Sequence, residues 1–198
     1  MSMDLSVNIK DFTNITKEGC EKYLLQFGLK VLVHPEIDFE THTGFLPFKI
    51  EFPDVAKLKG KEFLTGFEFY TDEYDYTKRL DDIKALTAET NPPKRKGIMG
   101  LFNKKAPSNE IIHIINPKAD ERLKKCKYDV TLCFHEMHEG VIATAFAAYL
   151  AEMADGVIFD CCSGEFLYEN INQKSHEDIK SFVSELELKS LHLFEKWL

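Results

Sequence analysis

Residues 128–162 read YDVTLCFHEMHEGVIATAFAAYLAEMADGVIFDCC, and how this stretch divides decides the fold. In YDVTLCFH, Val130, Leu132 and Phe134 alternate with Thr131, Cys133 and His135, the period of a strand with two unlike faces. EGVIATAFAAYLAEMAD is apolar almost all round, with alanine at 143, 145, 147, 148, 151 and 154. That is the composition of a buried helix lying close to its neighbours. GVIFDCC reads as a second strand, SGE as a turn and FLYEN as a third short piece. Strand, helix and strand with tight connections predict a βαβ unit, with parallel strands and a right-handed crossover.

The flanking sequence adds strands and helices of a different kind. TNITKEGCEKYLLQFG predicts a first helix: Thr16 suits the N-cap, Cys20, Tyr23, Leu24 and Phe27 share one face, and Gly28 stands where a stop is expected. LKVLVHPEIDF follows as a strand ended by Pro35. FLPFKIEF (45–52) and FLTGFEFY (63–70) each alternate apolar with polar residues and are joined by the polar DVAKLKGKE. They predict an antiparallel pair with one buried and one wet face. A helix is expected from Tyr76 to about Leu86, then a loop in NPPKRKGIMGLFNKKAPSNE, punctuated by proline and glycine. EIIHIINP reads as a short strand and KADERLKKCK as a polar turn or short helix. SHEDIKSFVSELELKSLHLFEKWL predicts a C-terminal helix capped by Ser175, with Ile179, Phe182, Val183, Leu186, Leu191 and Phe194 as its apolar stripe.

These elements predict an α+β protein: a single domain over 1–198, with one mixed sheet of about five to seven strands, three or four helices and a flexible loop at 87–109. A helix early, strands in the middle and a βαβ late make it a split βαβ or ferredoxin-like relative. No glycine-rich phosphate loop follows any strand.

The chain carries a formal net charge of −8. That argues against nucleic acid as a partner, because phosphate neutralisation supplies most of that affinity, and favours a basic protein. The N-terminal residues show no secretion signal. Glu152 and Asp155 interrupt the longest apolar run, so it does not read as a membrane span. Five cysteines in no CxxC spacing read as reduced thiols of a cytoplasmic protein.

Three constellations are candidates for function. Cys133, His135 and His138 lie at the first strand–helix junction, and Cys161 and Cys162 at the end of the second strand. Parallel strands would bring all five to one sheet edge, where ligands of α/β proteins bind. Thiolate and imidazole are zinc ligands, and a thiol beside an imidazole is a nucleophile. Against this, C-x-H-x-x-H matches no established metal geometry and adjacent cysteines diverge. The same residues also serve as an ordinary strand end and helix start, with Glu136 and Glu139 favouring the helix N-terminus. The second constellation is KRKGIMGLFNKK (94–105), in which Ile98, Met99, Leu101 and Phe102 form an apolar tip between two basic clusters. It suits insertion into a partner or contact with an anionic membrane. The third is EFYTDEYDY, where Glu68, Asp72, Glu73 and Asp75 interleave with Tyr70, Tyr74 and Tyr76. Aromatic anchors beside steering carboxylates suit a basic partner.

FAAYLAEMADGVIFDCCSGEFLYEN resembles a feature of small acidic bacterial proteins in which an alanine-rich helix leads into a G-V-[IV]-[FY]-D strand. Some of these are immunity proteins, the cognate partners of effectors delivered by contact-dependent or type VI systems. The likeness covers about 25 residues and carries over no catalytic residue. It implies a non-enzymatic, cytoplasmic, antitoxin-like binding protein that neutralises a basic effector or toxin by occlusion, with no cofactor. The alternative reading is a metal- or thiol-dependent enzyme built on the Cys/His edge.

Overall fold

The computed structural model describes residues 3–79, 117–160 and 165–197. They form an α+β structure around one eight-stranded sheet. Strands β1 (Met3–Ile9), β2 (Lys30–Val33), β3 (Gly44–Glu51), β4 (Glu62–Glu73), β5 (Tyr128–Phe134), β6 (Val157–Asp160) and β7 (Glu165–Leu167) stand in the order β2-β3-β4-β5-β1-β6-β7, and β8 (His192–Leu193) joins β4. Helices α1 (Lys17–Leu24), α2 (Pro117–Leu123), α3 (Met137–Met153) and α4 (Ile171–Glu185) cover it. The expected 87–109 loop and most of the expected 76–86 helix lie outside the described residues; residues 76–79 are helical.

The α+β class and the split βαβ are present, but the sheet is not mixed at the level of neighbours. Among the described residues every hydrogen-bonded strand pair is antiparallel. β5 and β6 run parallel, as the β5-α3-β6 unit requires, yet β1 lies between them and pairs antiparallel with both. The separator is MDLSVNI, whose Leu5, Val7 and Ile9 face the helices in register with Leu132, Val130 and Tyr128. Its own period-2 pattern marks it as a strand, and pairing on both sides makes it central.

α3 is the hub of the core. Its apolar residues from Val141 to Leu150 are at most 1% exposed, and it touches α1, α4 and strands β1, β4, β5 and β6. Phe146 sits among Phe39, Phe48, Phe67 and Phe69, with ring centroids 5.1 to 6.1 Å away. Burying one such ring is worth about 1.5–3 kcal/mol. The helix starts where Glu139 Oε2 accepts the amides of His135 at 2.7 Å and Glu136 at 3.1 Å, satisfying N–H groups at the entry. It hands over to β6 through Gly156, where a Cβ would lie 2.6 Å from the Asn8 carbonyl oxygen. Only glycine lets the chain cross β1 that closely.

The first helix follows its sequence signals. Thr16 accepts the amide of Gly19 at 3.0 Å, and Gly28 ends the following 3-10 turn at φ 73°. The C-terminal helix does not. It begins at Ile171 after Asn170, four residues before Ser175, which is buried inside it rather than capping it. Ile171, Ser175 and Ile179 form its buried stripe, so the inward face starts one turn earlier than expected. It stops at Leu186, whose ψ of 129° is extended. Leu191 and Phe194 therefore leave the helix, and β8 pairs with β4 beside Phe63 and Leu64.

Candidate functional site

The sheet has two unlike faces. α1, α3 and α4 cover the first. Over the second, α2 packs at the β6–β7 end, where Ala119, Leu123 and Val157 form a small core with Tyr74, Tyr76, Phe166 and Tyr168. Strands β3, β4 and β5 carry the exposed part of this outer face. Registers set its rows: Phe45 beside Glu68; Glu68, Cys133 and Asp4; Tyr70, Thr131 and Ser6; Asp72, Asp129 and Asn8.

Phe45 is 50% and Tyr70 39% exposed, unusual for aromatic rings in mid-sheet. Phe45 lies over Gly66, where a Cβ would come within 2.5 Å of its ring, so the glycine makes the seat for the aromatic. The Tyr70 hydroxyl donates to Glu68 at 2.9 Å, which raises its pKa and fixes the ring. Asp72 stands directly opposite Asp129 on the neighbouring strand. Like charges paired across strands are destabilising. Ser6 Oγ donates to Asp129 at 2.5 Å and offsets part of that cost. The face thus presents two apolar rings framed by carboxylates.

The structure divides the acidic-aromatic stretch. Glu68, Tyr70 and Asp72 point outward from β4, whereas Glu73 is on the opposite parity. Tyr74 and Tyr76 turn into the small core with α2. Burial pushes the Tyr74 hydroxyl up. Burial, and a hydrogen bond that Tyr76 donates to Asp120, do the same for Tyr76. Asp75 Oδ1 accepts the amides of Thr77 at 2.8 Å and Lys78 at 3.1 Å, capping the helical turn at 76–79. Phe45, Asp4 and Asp129 join the face unannounced. Phe45 was legible, because it falls out of phase with the buried Leu46, Phe48 and Ile50.

The Cys/His edge is assembled only in part. β5 and β6 do end at the same edge, but β1 intervenes, placing the two strand ends about 10 Å apart. Cys161 and Cys162 lie outside the described residues, as do Ile98, Met99, Leu101 and Phe102 of the basic loop. Cys133 is half-buried on the outer face, with Asp4 and Glu68 as its cross-strand neighbours. Activated thiols sit beside cations instead. His135 is exposed while His138 is buried, so the two rings do not share a surface. Burial lowers the pKa of His138, and its Nδ1 has no hydrogen-bond partner. Among the described residues no three His, Cys, Asp or Glu side chains are grouped to hold a metal. Cys20 and Cys126 are core thiols, the second pushed up to about 12 by burial.

No helix among the described residues is long and apolar enough to cross a membrane. No known family model, curated protein or solved structure matches the chain. Fold and surface define it as an α+β protein with an eight-stranded sheet whose outer face is exposed at Phe45 of β3 and at Glu68, Tyr70 and Asp72 of β4.

Proposed function

We propose that this protein is a non-enzymatic binding module that docks a basic protein partner on the outer face of β3, β4 and β5. The observation that carries the reading is the pairing of exposed Phe45 and Tyr70 with the unneutralised Asp72–Asp129 row. Aromatic side chains are the usual anchors of an interface. A partner's lysine or arginine beside Asp72 and Asp129 would relieve a repulsion that the free protein carries. The net charge of −8 steers such a partner towards the surface. In this reading the chain works by occlusion, as an immunity protein does towards its effector, and the sequence resemblance supports that kind of partner.

The test is association with candidate basic proteins, taken from the products of neighbouring genes, measured by calorimetry at rising salt. Affinity should fall with ionic strength. The double substitution Tyr70→Ala and Asp72→Lys touches only exposed side chains and should weaken binding by about thirtyfold or more, the scale of a lost hot spot. Unchanged affinity in a normally folded double variant would place the docking surface elsewhere.

A further inference from the structure

We infer that the groove between α4 and the edge of the sheet is a binding site for a small amphipathic molecule with an apolar body and a cationic head. It opens on the side covered by helices, and at its rim it shares Asp4 with the outer face.

The groove encloses a cavity of about 520 Å³, within the ordinary range for small-molecule sites. Its origin is a run of small residues where two helices meet the sheet. α3 presents Thr144 and Ala147, α4 presents Ser175, and none fills the space above Leu5 and Ile158. Phe134 and Phe182, edge to face at 6.3 Å, close one side. Leu167 of the short edge strand β7 lines the other. Thr144 and Ser175 are 8% and 1% exposed, and with Asn170 and Gln173 they set a few polar groups among the apolar side chains of the lining. This is the composition of a ligand pocket: apolar surface for affinity, a few polar groups for orientation.

The rim decides the head group. Asp4, Glu169, Glu177 and Asp178 border the cavity, against Lys174 alone. Lys174 is itself 3.6 Å from Asp178, and Glu169 holds Lys118 at 2.7 Å. Four carboxylates stand at the rim against the ammonium groups of Lys174 and Lys118, so an anionic head would meet net negative charge. An ammonium head would meet the opposite, with its chain lying over Leu5 and Ile158. A neutral apolar body alone would leave the rim unused.

The probe is the dye Nile red, whose emission rises in apolar sites, displaced by octylamine or by octanoate, which share a chain and differ in head charge. Saturable one-to-one dye binding is expected, with octylamine competing at a concentration about fivefold lower than octanoate, the scale of one exposed ion pair. Ser175→Phe should fill the cavity and abolish dye binding. The rim pair Glu177→Lys with Asp178→Lys changes side chains at the surface and should reverse the preference, which keeps the inference testable if Ser175→Phe does not fold. Absence of saturable dye binding to the unmodified protein overturns the site. Equal competition, or a preference for octanoate, overturns the cationic head.

Discussion

Lowering the pH should destabilise this protein through His138, at a pH where carboxylates are still ionised. His138 is 6% exposed in the first turn of α3, and its Nδ1 is unpartnered. Burial disfavours the imidazolium and lowers the folded-state pKa below 6.5. Glu139 and Glu136 oppose that shift, while His192 adds to it. The unfolded chain takes up a proton near its ordinary pKa, and the folded chain resists. Below about pH 6.5 the unfolded state therefore binds more protons, and stability falls as pH falls until the folded pKa is passed. If the folded pKa lies below the window, one such group costs at most about 1.4 kcal/mol between about pH 7.5 and about pH 5.5. Urea unfolding at stepped pH measures this directly. His138→Gln removes the titration while keeping a polar side chain of similar reach. It should flatten the profile in that window and leave stability near neutral pH within about 1 kcal/mol. Parallel profiles for the two proteins would refute the argument and show that protonated His138 finds a partner.

Two further substitutions probe how the core is tied together. Tyr149 Oη accepts the Thr16 amide at 2.8 Å and donates to the Thr16 carbonyl at 2.9 Å, joining α3 to the start of α1. Tyr149→Phe should cost about 1–3 kcal/mol in chemical denaturation, because two backbone groups lose their partner while the ring stays buried; a cost below about 0.5 kcal/mol would mean that water replaces the hydroxyl. Gly156→Ala should cost about 2 kcal/mol or more, since its methyl meets the Asn8 carbonyl of the central strand; a stable, fully cooperative variant would show that the α3–β6 corner can open.

The surface was legible in proportion to how local its signals are. Alternation in 63–70 placed Phe67 and Phe69 inside and Glu68 and Tyr70 outside, and the register agrees. The same rule carried on past residue 73 fails, because the strand ends there and Tyr74 and Tyr76 fold back onto α2. Asp4 and Asp129 reach the face only through pairing with strands far away in sequence, which no local pattern reports. Ala147 read as close helix packing and Ser175 as a helix cap. Whether small residues bring elements together or leave a cavity depends on what stands opposite.

Sequence alone determined the α+β class, the buried alanine-rich helix and the capped first helix. Each follows from periodicity or capping within one element, where the cause and its effect are a few residues apart. The tertiary structure decided that MDLSVNI enters the sheet between β5 and β6, so that the parallel strands of the βαβ unit never touch. It also decided that the C-terminal stripe splits into a helix and a strand, and that two aspartates face each other on a surface left open. Strand partners are chosen by hydrogen bonds and burial over more than 100 residues of intervening chain. Hydrophobic alternation is satisfied equally well by several neighbours, so it says which face of a strand is buried and not which strand lies beside it.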